Sequence, residues 1–414
     1  MMKTTIFFIS FYIMACAGEF EKLFDPNSIY SARGQMNIGV FNEKDFEDLD
    51  QNYNKYNLLF NRTVAVNPKI ILPGSLVFIP ALVGAPLASG TFHDGYFFAH
   101  ALLKSRDKKI NIFTNNDDSF AKYTGEMDVF EVNGTIAKSL RTRYQLQYIK
   151  EEIVPTYRMV ASQFNELMQQ SNQQLKDIKK RVQYYSERGK GTPYLIFNLG
   201  EGAGSYPDPD PTIDFARTDC MTFCEHTLAL AISDNYQDMY TNLQKIRYKN
   251  GQIDYVSRNH YTIVDWLPNN NWLLDDITAE VGAGFSKKMT KTIDRPEFYK
   301  KNGVPEDQLS TAPPKKKLTV DYIPTKNLLS IKDKLQGGEI VSIVTTHPAV
   351  FSAHMGIIIR DEWDNLIFRH ASSSDKTGEV MDERFENYVA NLEKSKSRVG
   401  MIFMRPKNNY QIPQ

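Results

Sequence analysis

The chain has 414 residues with 49 basic and 49 acidic side chains, so its formal net charge is zero. This length favours two domains, each with enough chain for a buried core. The basic residues form no stripe beyond a short lysine run at residues 315–317, which argues against nucleic acid as a partner.

The first residues, MMKTTIFFISFYIMACAG, have the order of an export signal: one lysine, an apolar run of about ten residues, then small residues. A membrane-spanning helix needs about twenty apolar residues, so this run is too short to span. The segment ending at Cys16 resembles a bacterial lipoprotein processing box, which would remove the signal over residues 1–16 and leave Cys16 lipidated. Ordinary cleavage near Ala15 or Ala17 is the alternative. Both predict an exported protein, in the periplasm or held at the outer membrane only through the lipid.

Residues 25–125 are expected to form a small β-barrel domain. β-branched and aromatic runs, separated by Pro, Gly and Asn, begin near residue 61. They read RTVAVNP, SLVFIPALVG, DGYFFAHA and INIFTN.

Residues 135–188 are interpreted as a helical linker. From Val160 to Tyr185 apolar residues recur at helical spacing, which predicts one long amphipathic helix with a solvated Gln- and Asn-rich face. In residues 189–414 helical patches precede strands such as EIVSIVTTH, HMGIIIR and NLIFRHA, and this order predicts an α+β domain.

Residues 216–233, ARTDCMTFCEHTLALAIS, place Cys220 at the start of a predicted helix, directly after Asp219. A helix N-terminus stabilises a thiolate, so Cys220 is a candidate nucleophile. Three other interpretations stay open: a disulfide with Cys224, a zinc site with His226 on another face of the helix, and a buried, inert cysteine.

A nucleophilic cysteine needs an imidazole base, which cysteine hydrolases take from a distant part of the sequence. Two of the seven histidines lie on predicted strands, His354 in SAHMGIII and His370 in IFRHASSS. A strand, turn and strand would align both toward the helix end, with His354 as base and His370 fixing its tautomer.

The motifs TDCMTF, SAHMGI and FRHASS resemble those of the NlpC-type papain-like cell-wall hydrolases. In order over residues 150–410, GTPY, DCMTFCEHTLALA, IRYKNGQIDYVSRNHYTIVDW and GGEIVSI are similar to the N-acetylmuramoyl-L-alanine amidase-like family of that superfamily. The resemblance implies a papain-like fold for residues 189–414. Glu339 stands where the family usually has Asp, and Cys224 where it commonly has Val; neither touches the catalytic residues.

The resemblance also implies roles for individual residues. Cys220 would be the nucleophile, His354 the base and His370 its orienting partner. Tyr194 and Asp219 would lie near the oxyanion site, where the backbone N–H of Cys220 is a donor. The SRNHY run would shape the substrate pocket, or alternatively would be a loop that anchors Trp266; its candidate binding residues are Ser257, Arg258, His260 and Tyr261.

The implied reaction is hydrolysis of the lactyl amide between muramic acid and L-Ala, with small anhydro-muropeptides as preferred substrates. Peptidoglycan fragments are therefore the expected partners, and no metal or other cofactor is expected. A D-Glu–diaminopimelate endopeptidase would use the same thiol, imidazole and oxyanion site. A peptidoglycan-binding protein that has lost activity is the third hypothesis.

Residues 66–114 resemble the three-Asp double-psi β-barrel domain of MltA-type lytic transglycosylases. His100 and Asn111 stand at the two acidic positions of the pattern, and Leu102 and Leu103 at its paired glycines. Glycoside cleavage needs a carboxyl group to protonate the leaving oxygen. The barrel is therefore interpreted as degenerate, either binding glycan without cutting it or only packing against the amidase domain.

Two further groups of the barrel bear on this interpretation. Asp94 and Asp107 lie nearby but do not occupy the acidic positions of the pattern. Aromatic side chains are placed either to stack on sugar rings or to fill the core: Phe92, Tyr96 and Phe97.

Overall fold

The computed structural model describes residues 30–42, 45, 49, 58–87, 92–105, 107–114, 123–132, 154–361, 364–373 and 378–413. The expected export signal with Cys16, and residues 135–153 of the expected linker, lie outside these residues. The chain divides into two compact units, Met1–Ile153 and Val154–Gln414. Among the described residues, no helix is long and apolar enough to cross a membrane.

In the described part of the first unit, six strands close into a barrel. They are β1 (Tyr30–Phe41), β2 (Thr63–Val66), β3 (Leu76–Pro86), β4 (Phe92–Leu102), β5 (Lys109–Phe113) and β6 (Gly125–Val132). Around the barrel their order is β1-β5-β2-β4-β3-β6, with parallel pairing of β1 to β5 and of β2 to β4. The expected barrel is confirmed, and β1 and β6 are strands that the sequence did not predict.

The second unit contains helices α1 (Ala161–Gln174), α2 (Ile178–Arg188), α3 (Cys220–Ala231) and α4 (Tyr236–Arg247). Shorter helices follow: α5 (Leu267–Asn269), α6 (Thr278–Val281), α7 (Arg295–Lys301), α8 (Glu306–Leu309) and, near the end, α9 (Phe385–Glu393). A π-helical turn at Thr262–Trp266 leads into α5.

Eight strands in the described part of the second unit form one sheet. They are β7 (Leu274–Asp276), β8 (Lys287–Ile293), β9 (Lys316–Pro324), β10 (Ile340–Thr345), β11 (Ser352–Arg360), β12 (Leu366–Ala371), β13 (Val380–Arg384) and β14 (Arg398–Pro406). Their order is β13-β12-β11-β10-β14-β9-β8, and β7 pairs with β14. The mixed α+β class is confirmed.

The single long helix expected from Val160 to Tyr185 is instead two helices. Leu175 has an extended conformation and ends α1. Asp177 then caps α2, because its carboxylate accepts a 2.9 Å hydrogen bond from the Lys179 N–H. Both helices belong to the second unit.

The α3 helix lies in the core of the second unit. Every residue from Thr222 to Ala231 is buried, and the helix packs against α2, α4 and β11. A helix that is covered on all sides is a central element of a fold rather than a surface one. Its first residue, Cys220, is partly exposed.

Candidate active site

The position of Cys220 is fixed by a reciprocal helix cap. One carboxylate oxygen of Asp219, Oδ1, accepts hydrogen bonds from the N–H groups of Met221 (2.9 Å) and Thr222 (2.8 Å). In return the Thr222 hydroxyl accepts a 2.9 Å bond from the Asp219 N–H. Such a capping box defines where a helix begins. Cys220 is therefore the first residue of α3, with its sulfur at the helix N-terminus.

The same cap also affects the ionisation of the thiol. Burial and the charge of Asp219 raise the pKa of Cys220 to about 12, although the backbone N–H groups of Met355, Cys220 and Met221 favour the thiolate. The helix N-terminus alone was expected to lower this pKa, but here burial and a neighbouring carboxylate outweigh it. At neutral pH the Cys220 thiol therefore stays protonated, and a base is needed to remove its proton.

Two adjacent strands bring the candidate imidazoles together. The Nε2 atom of His354 on β11 lies 2.9 Å from Nδ1 of His370 on β12. Their rings are nearly perpendicular, with centroids 4.9 Å apart. Antiparallel pairing of Ile358 with Phe368 sets this register and makes the two histidines diagonal neighbours.

The Cys220 thiol is hydrogen-bonded to the backbone of β11 directly after the first of these histidines. Met355, whose N–H is hydrogen-bonded to the Cys220 sulfur, directly follows His354 on β11. Because the Nε2 atom of His354 is engaged by His370, Nδ1 is the nitrogen through which His354 would take the thiol proton. This is the order of groups that a cysteine, base and orienting residue require.

Aromatic side chains that the sequence did not indicate support His370. The Phe368 ring stacks on the His370 ring at 4.9 Å, and Tyr388 of α9 packs on Phe368 at 4.3 Å. Gly356 makes room for this packing, since a Cβ atom there would lie 2.5 Å from Cζ of Phe368. The glycine of the SAHMGI motif was the available signal, but its partner becomes visible only through the strand register.

Tyr194 lies close to Cys220. It forms a β-bridge with Thr218, two residues before Cys220. Burial, together with the neighbouring Cys220 and Asp219 groups, raises the pKa of Tyr194 to about 12. Its phenol therefore stays protonated and can donate a hydrogen bond.

The loop after Tyr194 is an exposed apolar rim, defined by Leu195, Ile196 and Phe197. The Phe197 side chain is 73% exposed, and its backbone has a positive φ of 55°. The second carboxylate oxygen of Asp219, Oδ2, accepts a 3.2 Å hydrogen bond from the Phe197 N–H. Asp219 thus joins the rim to the start of α3, a connection that the sequence did not indicate.

The SRNHY residues are held by other contacts. Arg258 binds Glu201 through Nε (2.6 Å) and Asp208 through Nη2 (2.8 Å). The Ser257 hydroxyl donates to the Asp254 carbonyl at 2.9 Å. These contacts join the run to the loop that contains Glu201 and Asp208 and to the turn at Asp254 that precedes it.

The last two residues of the run also have structural contacts. Nε2 of His260 lies 2.7 Å from the Tyr255 carbonyl oxygen, and burial lowers its pKa to about 3. Tyr261 is buried, and its carbonyl accepts a 3.0 Å bond from the Trp266 N–H. These contacts hold the run in the fold, and its role in shaping a substrate pocket stays a prediction.

The surroundings of Cys220 bear on the three other interpretations: a disulfide with Cys224, a zinc site with His226, and a buried, inert cysteine. Cys220 and Cys224 are both free thiols, and Cys224 is buried. His226 is buried with Nδ1 2.7 Å from the Thr222 carbonyl oxygen. Within the described ranges, no group of three or more His, Cys, Asp or Glu side chains is arranged to hold a metal ion.

In the barrel, two positions that are acidic in the lytic transglycosylase pattern hold buried residues that are not acids. His100 is 3% exposed and Asn111 5% exposed. Asp94 forms an ion pair with Arg62, and Asp107 accepts a 2.7 Å hydrogen bond from the Ser105 hydroxyl. Leu102 and Leu103 are also buried.

The three aromatic residues of β4 differ in their surroundings. Phe97 belongs to the core, Tyr96 stacks on Phe78 at 4.6 Å, and Phe92 is 68% exposed. Phe92 is therefore the one of the three that remains open to a ligand.

Fold and geometry together define a mixed α+β protein. In its second unit the helix that begins with a thiol packs against the two strands that carry an imidazole pair. The chain belongs to the N-acetylmuramoyl-L-alanine amidase-like (AmiA-like) family, whose model matches residues 184–395. The family resemblance of the sequence is confirmed at this level. No curated protein matches the chain.

Solved structures are similar to the chain at low identity. A DUF1460-family protein from Legionella pneumophila is 24% identical, with a TM-score of 0.53. The match covers 59% of this chain and 94% of the Legionella chain. This likeness supports the fold alone. An N-acetylmuramoyl-L-alanine amidase from Bacteroides uniformis is 26% identical over 56% of this chain and 99% of its own, with a TM-score of 0.45. The lytic transglycosylase MltA of E. coli, in a variant form, is 18% identical over 18% of this chain and 25% of its own, with a TM-score of 0.13.

Proposed function

We propose that the chain is a cysteine-dependent hydrolase of the NlpC-type papain-like class. Its substrate would be the amide between the lactyl group of muramic or anhydro-muramic acid and L-Ala. The observation that carries the proposal is that Cys220, at a capped helix N-terminus, is hydrogen-bonded to the N–H of Met355, the residue after His354, whose imidazole lies 2.9 Å from that of His370. Membership of the amidase-like family supports peptidoglycan fragments as the substrate class.

The reaction would proceed by acyl transfer to the thiol. The Cys220 sulfur attacks the amide carbonyl carbon while its proton passes to Nδ1 of His354. Collapse of the tetrahedral intermediate breaks the C–N bond, and His354 gives the proton to the leaving amine of L-Ala. Water then attacks the thioester with His354 as base, the C–S bond breaks, and the thiol is restored.

The raised pKa of Cys220 is compatible with this sequence. A thiol that is neutral before substrate binds transfers its proton as it attacks, so the base is required in the first step. The backbone N–H of Cys220 would donate to the oxyanion, and the protonated phenol of Tyr194 would lie near the same site. The exposed rim of Leu195, Ile196 and Phe197 would contact the substrate.

The first unit would have a different role. Neither His100 nor Asn111 is a carboxylic acid, so a barrel of this kind would not cleave glycan by acid catalysis. We propose that it is a degenerate double-psi barrel that binds glycan without cutting it. Export through residues 1–16, with Cys16 as a lipid anchor, belongs to the same proposal, since peptidoglycan lies outside the cytoplasmic membrane.

Mass spectrometry of the products tests the proposal. The purified protein would be incubated with a defined anhydro-disaccharide tetrapeptide. Free disaccharide and intact tetrapeptide are expected, whereas disaccharide-dipeptide would indicate the D-Glu–diaminopimelate endopeptidase. Binding without any product would instead support a peptidoglycan-binding protein.

A pair of cysteine variants supplies the control. The Cys220→Ala variant should fold and give no product, because it lacks the nucleophile. The Cys224→Ala variant loses a buried thiol one helical turn away and should keep its activity. Full activity of the Cys220→Ala variant would contradict the mechanism.

A further inference from the structure

The second imidazole of the site has one nitrogen without a hydrogen bond. Nδ1 of His370 lies 2.9 Å from His354, but Nε2 of His370 is buried and makes no hydrogen bond in the described part of the chain. Buried N–H groups nearly always have an acceptor. A protonated Nε2 would therefore need an acceptor close to this position.

Glu383 on β13 is the acidic group placed to meet this need. Its Oε2 atom lies 3.7 Å from Nε2 of His370, and the two side chains are only 15% and 6% exposed. Strand pairing explains the proximity: Glu383 pairs with Phe368, and His370 lies two residues further along the same face of β12. The other carboxylate oxygen, Oε1, is engaged by the Asn391 amide at 3.3 Å.

We propose that Glu383 is a positioning residue that fixes the tautomers of both histidines. The inference rests on the proposed cysteine-dependent hydrolysis. It extends the set of Cys220, His354 and His370 by a fourth group, which does not touch the substrate.

The direction of the hydrogen bonds gives the reason. To accept the thiol proton at Nδ1, neutral His354 must carry its own proton on Nε2 and donate it to Nδ1 of His370. Neutral His370 must then carry its proton on Nε2, where Glu383 is the acceptor. Without the carboxylate, His370 can protonate Nδ1 instead and donate to His354. His354 would then hold its proton on Nδ1 and could not act as base.

The distance of 3.7 Å is longer than a hydrogen bond, so Glu383 must move by less than 1 Å to bind. Catalytic hydrogen bonds are often long in free enzymes and shorten in the substrate complex. Tyr388 also faces this region, with its ring 5.4 Å from that of His370, but burial raises the pKa of its phenol above the usual value. It is a neutral group and does not replace the charge of Glu383.

Three variants test the inference through kinetics. Glu383→Gln keeps the shape of the side chain, but its amide can donate to Nε2 of His370 and favour the wrong tautomer. We expect kcat to fall roughly 10- to 100-fold, by analogy with groups that orient metal-bound histidines, with KM nearly unchanged. Glu383→Ala should be no more damaging than Glu383→Gln, whereas a purely steric role would make Ala the worse replacement. Glu386→Gln, in the first turn of α9, is the matched control and should keep wild-type kcat.

A second readout does not depend on turnover. Long-range ¹H–¹⁵N NMR of ¹⁵N-histidine protein should show His370 protonated at Nε2 in the wild type and a shift toward Nδ1 in the Glu383→Gln variant. Wild-type kcat together with an unchanged His370 tautomer in that variant would overturn the inference. Activity of Cys220→Ala would instead overturn the proposed function, so the two failures are distinguishable.

Discussion

Asp219 caps the helix that begins at Cys220, while its charge disfavours the Cys220 thiolate, and Asp219→Asn separates these two effects. Asparagine is as good a helix cap as aspartate, so its Oδ1 can keep the bonds to the Met221 and Thr222 N–H groups. Its Nδ2 would face the Phe197 N–H, which now donates to Oδ2 at 3.2 Å. One hydrogen bond to a charged acceptor is lost, at a cost of about 1.5–3 kcal/mol.

The thiol should become more reactive as the protein becomes less stable. A neighbouring charge of the same sign raises a pKa by about 1–2 units. For each unit that the Cys220 pKa falls, the thiolate fraction at neutral pH rises about tenfold and its intrinsic nucleophilicity drops about threefold. The rate of alkylation by iodoacetamide should therefore increase about 3- to 10-fold, while Tm falls by about 3–12 °C.

The assay is the alkylation rate of Cys220 between pH 6 and 9, followed by mass spectrometry, with thermal unfolding measured in parallel. Asp177→Asn is the control, because Asp177 caps α2 in the same way but has no thiol beside it. The control should leave the alkylation rate unchanged. An Asp219→Asn variant that reacts no faster than the wild type would refute the view that this carboxylate raises the thiol pKa.

Three further predictions concern the surroundings of the site. Gly356→Ala places a Cβ 2.5 Å from Phe368, so unfolding experiments should show a loss of about 1–3 kcal/mol, with a lower kcat. Arg369→Met removes the buried guanidinium that binds the partly exposed Asp382 carboxylate and leaves it only Lys190, so denaturant unfolding should show a loss of about 1.5–3 kcal/mol that Asp382→Asn partly restores. Burial opposes ionisation of Asp382, but Arg369 and Lys190 outweigh it and lower its pKa, so the ion pair stabilises the fold at neutral pH and stops doing so as pH falls through that lowered pKa. Phe197→Gly removes a strained positive φ, so Tm should not fall although KM rises; a clear loss of Tm would show that the exposed ring packs on the protein.

The sequence predicted those elements whose patterns are local. The β-branched and aromatic runs correspond to β2 to β5, and the spacing of His354 and His370 predicted the pair on adjacent strands. By contrast, β1 (YSARGQMNIGVF) and β6 (GEMDVFEV) have many polar residues, and they are strands because distant parts of the barrel pair with them. Tertiary pairing of this kind leaves little local signal.

Two other kinds of feature that the sequence did not predict have similar causes. The lysine run at residues 315–317 overlaps the start of β9. Because these lysines are exposed, they give no apolar pattern that would predict the pairing of β9 with β8. Contacts that depend on strand register or loop conformation could not be predicted at all. Among them are the fit of Phe368 against Gly356, the bond of Phe197 to Asp219, and the approach of Glu383 to His370.

The burial of α3 has a consequence for how such a protein can diversify. Its residues from Thr222 to Ala231 are all covered, so substitutions there perturb the core and shift the sulfur at its end. The rim of Leu195, Ile196 and Phe197 is exposed and can vary with little effect on folding. New substrate preferences should therefore arise, in evolution or in directed selection, from the rim while the helix sequence stays nearly constant.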